Sequence, residues 1–367
     1  MVAHFSSSYK MFDFEALLRS MGDGFAFCHR QNHCRTCESI GPTSTINYQI
    51  QVKVSVNLLL FLPKLHLTTR KAHRDLLAAL KQRGADGVEV PIFKGNPDHY
   101  AKVGKIVTGT FGDECTTAVS MVDVKADPSS PSKRVRERAL RQLKHRIDCA
   151  KALGAKALVG PLTSPWATWP TRNCKQLSGD KLVAEMETRL RFAVDVLGDA
   201  AIYAAGLGME LCTEYLNPWE LPAVNTIGQA RDFAAQVNMS TFGVLTDTAH
   251  EAAGGGLEMY DRMVRCILGK YPLHVHISAP YHRGDIVQSS IDWQILSVLR
   301  SLGWKGHLVV ELFNAVEPFA SGARLNRKSW SDESCLFMAE RAVCTAKEQW
   351  ERASSDSRLH REEESPE

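Results

Sequence analysis

A (β/α)8 TIM barrel of the α/β class is the fold the sequence predicts, a single domain between an N-terminal extension and a disordered C-terminal tail. Three observations carry it. Six joints repeat one pattern, an amphipathic helix closed by glycine and then a short apolar run: RGADGVEV from Arg83, LGAKALVG from Leu153, GLGMELCTE from Gly206, MSTFGVLTD from Met239, KYPLHVHIS from Lys270 and GWKGHLVVE from Gly303. Two further apolar runs bring the strands to eight, and the span of 51–350 suits a closed barrel of that number. The runs lack strict alternation, as parallel strands buried on both faces do.

Taken in order, residues 1–50 form an extension without periodicity. Its Cys28, His29, His33, Cys34 and Cys37 lack the second paired ligand motif of a zinc finger, so a loosely ordered segment is the expectation. Val52 to Phe61 reads as the first strand, GVEV with Glu89 near its end as the second, and Ile106 to Phe111 as the third. Helical stripes follow at i, i+3, i+4 spacing: Leu143, Ile147 and Ala150; Leu182, Met186, Leu190, Ala193 and Leu197; Ile227, Ala230, Ala234 and Val237; Ile291, Ile295, Val298 and Leu302. The final helix is expected near Glu333 to Trp350. Residues 351–367 are polar and charged without apolar anchors, as in a solvated tail.

Composition narrows the function. Of 367 residues 44% are hydrophobic and 23% charged, enough for a core and unlike disordered or coiled-coil chains. With 44 basic against 41 acidic side chains the net charge is +3, too balanced to argue for a nucleic-acid partner. The run KRVRER from Lys133 reads as a solvated helix face. No apolar run approaches the roughly 20 residues that span a bilayer, so no membrane partner is expected. The N-terminal residues lack the order of a secretory signal, and ten scattered cysteines fit reduced thiols; a cytoplasmic location follows as the expectation.

Polar residues at the C-terminal ends of barrel strands converge on one mouth. Strand five ends at Glu214, strand six at Asp247, strand seven at His276 and strand eight at Glu311, spaced 33, 29 and 35 residues apart, each close to one strand-helix unit. Three carboxylates and an imidazole at one height repel or take up protons unless a divalent cation joins them. The mixed oxygen and nitrogen set favours Mn2+, with Co2+ or Mg2+ as alternatives.

These residues carry a family resemblance. GMELCTEYLNPWE (Gly208 to Glu220), GVLTDTAH (Gly243 to His250), LHVHIS (Leu273 to Ser278) and IDWQILSVLRSLGWKGHLVVELF (Ile291 to Phe313) resemble segments of the sugar phosphate isomerase/epimerase superfamily, of xylose isomerase-like barrels. The branch most similar is that of the D-tagatose and D-psicose (allulose) 3-epimerases, over roughly residues 52–350. The resemblance implies metal ligands at Glu214, Asp247, His276 and Glu311, and substrate contacts at Glu220, His250 and Arg283. It also implies a small-molecule ketose as partner and a homodimer or homotetramer. The sequence departs from the pattern at Pro218, where arginine is common, and at Arg283, one residue further from His276 than usual.

The chemistry expected is epimerisation of a free ketose at C3. A proton beside a carbonyl becomes removable when a dication stabilises the enediolate, and Glu214 and Glu311 on opposite sides of the sugar exchange protons with inversion. Delivery to the neighbouring carbon gives aldose-ketose or hydroxypyruvate-type isomerisation instead, and a non-catalytic sugar-binding barrel is a further reading. An apurinic-endonuclease-like site needs histidines on strands two and three, which VEVPIF and TGTFGDE lack.

Lesser features stay open at this stage. His274 is expected to support His276 from one layer deeper, and Glu89 either hydrogen-bonds substrate or His250 or caps a loop. Trp166 and Trp169 either stack on a sugar or pack between loops. Gly254, Gly255 and Gly256 read as a flexible loop, with a phosphate cradle as the alternative.

Overall fold

The computed structural model describes residues 52–61, 71–113, 116–166, 179–218, 220–221, 223–254, 257–280, 284–288, 290–314 and 330–356. Eight parallel strands close a barrel in sequence order: β1 Lys53–Asn57, β2 Gly87–Pro91, β3 Thr116–Val119, β4 Ala157–Gly160, β5 Glu210–Glu214, β6 Phe242–Asp247, β7 Leu273–Ile277 and β8 His307–Val310. β8 returns to β1, with Val310 opposite Val56. Around them lie α1 Lys71–Gln82, α2 Pro97–Phe111, α3 Lys133–Leu153, α4 Asp180–Gly206, α5 Ile227–Val237, α6 Thr248–Gly254, α7 Leu257–Leu268, α8 Gln294–Ser301 and α9 Asp332–Asp356.

Period-two alternation divides the strand residues between two cores. Val54, Val88, Leu211, Val244, Val275 and Val310 face outward into the large core beneath the helices. Val119, Ala157, Val159, Cys212, Leu245, Leu59 and Phe313 form a smaller cluster inside the barrel. The same alternation carries Asn57, Glu89, His274 and His276 inward, where they meet across the barrel. Helix stripes supply the outer layer. In α5 the predicted Ile227, Ala230, Ala234 and Val237 are all buried, joined by Phe233. In α8 the buried face turns to Ile295, Leu296 and Leu299, leaving Val298 and Leu302 partly covered.

All six glycine joints lead into strands, and two other elements differ from expectation. Ile106 to Phe111 is the last part of α2, not the third strand. Asn96 caps that helix by accepting from the His99 amide at 2.9 Å, Pro97 starts it, and Tyr100, Val103, Gly104 and Val107 extend its buried stripe through the β-branched run. The strand lies beyond Gly112 (φ +99°), at Thr116–Val119. The first strand stops at Asn57, because its side-chain oxygen accepts from the Leu59 amide at 3.0 Å and starts a 3-10 turn over Leu58–Phe61.

The final helix outlasts its predicted end at Trp350, reaching Asp356 with Ala353 buried; it takes the first residues of the expected tail. Residues 1–50 and 357–367, Trp169, Gly255, Gly256 and Arg283 lie outside the described residues. No helix among the described residues is long and apolar enough to cross a membrane.

Candidate functional site

The mouth of the barrel gathers the four strand-end residues. Register sets the height: Asp247 stands directly opposite His276 across β6 and β7, and the Glu311 amide continues the ladder by donating to Ile277 O at 2.9 Å. One ligand atom from each of Glu214, Asp247, His276 and Glu311 lies within 4.8 Å of the others, and all four side chains are buried.

Neighbouring groups orient these side chains. Oδ1 of Asp247 accepts from the Ser278 hydroxyl at 2.5 Å and from the Ala249 amide at 2.6 Å at the start of α6, which fixes the carboxylate plane. His276 Nδ1 faces Glu311 Oε1 at 3.3 Å and its Nε2 faces Glu89 Oε1 at 2.9 Å, yet neither ring nitrogen makes a well-aligned hydrogen bond. Burial would strip the imidazole of its proton, but the carboxylates of Glu89 and Glu311 outweigh that and hold its pKa well above the ordinary histidine value. Glu89 responds in the opposite sense. Burial raises its pKa, while the charge of His276 and the hydrogen bond and charge of His274 pull it far below the usual carboxylate range.

A second group lies beside this cluster. His250 Nδ1 accepts from the Asn217 amide at 3.2 Å, which leaves the proton of the neutral ring on Nε2, 3.7 Å from Glu214 Oε1. Glu220 Oε1 accepts from Asn217 Nδ2 and Oε2 accepts from the Trp166 indole, both at 2.8 Å. His250 and Glu220 therefore flank the four-residue cluster, held by an asparagine that follows Glu214 by three positions. Trp166, left open between stacking and loop packing, has a polar task as well: its Nε1–H holds Glu220. A small pocket of about 30 Å³, open to solvent, is lined by Glu214, Glu220 and Glu311 between apolar walls that include Val119, Met121, Trp166 and Phe313.

Glu89 is where expectation and structure part. It sits at the middle of β2 instead of its end, is fully buried, and hydrogen-bonds His274 and lies against His276 instead of His250 or a loop. Asn57 and Ser278 were not singled out from sequence. The available signal was a polar residue inside the otherwise apolar run VNLLLF, and a serine two positions beyond His276.

The donor set fits a hard or borderline divalent cation. Three buried carboxylates within 4.8 Å of one another are mutually repulsive without positive charge, and the His276 imidazole, whose nitrogens lack aligned partners, would offer a lone pair to the same point once a cation displaced its proton.

Fold and site together define a parallel α/β barrel whose mouth carries a buried cluster of three carboxylates and an imidazole. The chain belongs to the xylose isomerase-like TIM barrel family, whose model matches residues 77–341. A curated D-psicose 3-epimerase of Ruminiclostridium cellulolyticum is 28% identical over 127 residues, a stretch that spans 33% of this chain and 40% of that protein. A sugar phosphate isomerase/epimerase structure from Anabaena variabilis superposes with a TM-score of 0.74 at 23% identity, covering 82% of this chain and 99% of the other. The D-psicose 3-epimerase of Clostridium cellulolyticum with D-tagatose gives 0.67 at 18%, covering 82% and 99%. An L-ribulose 3-epimerase gives 0.69 at 20%, covering 86% and 100%. At these identities the structures speak for the fold.

Proposed function

We propose that this protein is a divalent-metal-dependent epimerase acting at C3 of a free ketose. The observation that carries the reading is the convergence of Glu214, Asp247, His276 and Glu311 on one buried point at the barrel mouth. Membership of a barrel family with sugar epimerases among its structural neighbours supports it.

Glu214, Asp247, His276 and Glu311 would hold the cation, Mn2+ or else Co2+ or Mg2+. When bound, such an ion supplies Lewis-acid charge that makes a C–H bond beside a carbonyl acidic enough to ionise. Glu214 and Glu311 exchange the C3 proton, one carboxylate receiving it and the other delivering one to the opposite side, so that the carbon inverts. His250 Nε2–H and the Glu220 carboxylate present a donor and an acceptor for sugar hydroxyls. Apolar residues Val119, Met121 and Phe313 line the pocket beside these carboxylates.

The test is to incubate D-fructose, D-tagatose, D-psicose and L-ribulose with the Mn2+ or Co2+ protein in deuterated water. Deuterium appearing at C3 with the inverted sugar is the expected result. Glu214→Gln and Glu311→Gln should each lose at least about two to four orders of magnitude in rate, the usual scale of general acid-base catalysis. Full turnover in both variants, or label only at C1 or C2, overturns the proposal.

A further inference from the structure

On the inner side of His276 the barrel holds a second set of polar residues that the proposed proton transfers do not use. Glu89 is completely buried and receives donors on both oxygens. Asn57 Nδ2 donates to Oε1 at 2.9 Å, and His276 Nε2 lies 2.9 Å from the same atom. Thr117 Oγ1 donates to Oε2 at 2.8 Å, and His274 Nε2 lies 3.0 Å from it. The Asn57 amide also donates to Glu311 Oε1 at 3.0 Å. Asn57, Glu89, His276 and Glu311 thus close a ring across β1, β2, β7 and the residue after β8.

We propose that Glu89, with Asn57, is a positioning residue for the cation site, holding the proton of His276 on Nε2 so that Nδ1 presents its lone pair beside Glu311. The inference rests on the metal reading above and deepens it. A carboxylate at Nε2 selects that tautomer and increases the donor strength of the opposite nitrogen. Asn57 ties the same carboxylate to Glu311, so two ligands from adjacent strands are aimed by one anchor. Three hydrogen bonds, from Asn57, Thr117 and His274, and the close approach of His276 Nε2 already surround Glu89, which argues against its being a ligand to a second ion.

Titration of the metal-free protein with Mn2+, read by the free-ion electron paramagnetic signal, gives affinity and stoichiometry without turnover. One ion per chain is expected. Glu89→Gln should bind it about 10–100-fold more weakly, the usual effect of losing such an outer partner. The visible absorption of the Co2+ form should change in position or intensity, a signature that loss of stability alone does not produce. Asn57→Ala, which leaves the Glu89 charge in place, serves as the second variant and should weaken Mn2+ severalfold if Glu89→Gln does not fold. Unchanged affinity and Co2+ spectrum in a folded Glu89→Gln, unchanged affinity in Asn57→Ala, or two ions per chain with one lost in His274→Gln would overturn the inference. Failure of the unaltered protein to bind Mn2+ or Co2+ would instead sink the metal reading itself.

Discussion

The indole of Trp166 and the carboxylate of Glu220 meet at 2.8 Å, an N–H to oxygen bond that ties the loop after β4 to the residues after β5. With Asn217 on the other oxygen, both ends of Glu220 are held before any sugar arrives. Trp166→Phe keeps an aromatic face toward the pocket but removes the donor. Hydrogen bonds to charged groups contribute about 1.5–3 kcal/mol, so kcat/KM for the best ketose should fall roughly tenfold or more. Steady-state kinetics check this; unchanged kcat/KM would mean that the ring face alone matters.

The barrel was legible because its evidence is local. Glycine closing a helix, replaced by the left-handed Asn238 before β6, and an apolar run after it recur at the joints, and the four strand-end residues share the spacing of one strand-helix unit. Ile106 to Phe111 misled because a β-branched run looks alike in a strand and on the buried stripe of a helix, and only the Asn96 cap and Pro97 distinguish them. The polar ring behind His276 was not legible, since its bonds join residues far apart in the chain. Asn57 and Glu311 are 254 positions apart and His274 and Glu89 are 185 apart, and no local pattern pairs them.

Two glycines should respond to the same substitution with opposite signs. A Cβ on Gly243, in β6, would lie 2.0 Å from Pro272 O, a backbone atom that cannot yield without parting β6 from β7. Gly243→Ala should destabilise by about 1–3 kcal/mol or more and loosen the pairing that sets Asp247 beside His276. Gly109 lies exposed in α2 with nothing within 4 Å of its would-be Cβ, so Gly109→Ala should stabilise by about 0.5–1 kcal/mol. Urea unfolding of the pair decides, and a stabilised Gly243→Ala would refute the close approach.

His307 gives the barrel an acid-sensitive point at the far end of β8. Its Nδ1 contacts Ser55 Oγ at 2.7 Å; burial, with help from the charges of Lys53 and His274, brings its pKa down to about 4. An unfolded chain protonates the same ring near pH 6.5, so between those values the unfolded state binds more protons and stability falls as pH falls. The contribution is fully present above about pH 6.5, and up to about 3 kcal/mol of it is lost by pH 4. His307→Gln should flatten that part of the stability profile while leaving the region above pH 7 parallel to the unaltered protein. Denaturant unfolding in chelator across pH 4–8 measures it, and identical slopes would remove His307 from the account.

Asp247 should show a trade between stability and metal binding. Its Oδ1 serves Ser278 and the Ala249 amide, and asparagine can keep that oxygen in place, so Asp247→Asn preserves the local bonds while deleting one of three crowded charges. Metal-free Asp247→Asn should therefore melt at or above the temperature of the metal-free parent, because a repulsion has gone without a cavity replacing it. Mn2+ should reverse the order. An ion that binds only the folded state stabilises by about 2.7 kcal/mol at a hundred times its Kd, which the parent gains and chelator removes, whereas the variant gains little. Calorimetry with and without Mn2+ gives both comparisons. If Mn2+ raised both melting temperatures equally, Asp247 would not be a ligand; a metal-free variant far less stable than its parent would mean that the carboxylate is held for the fold instead.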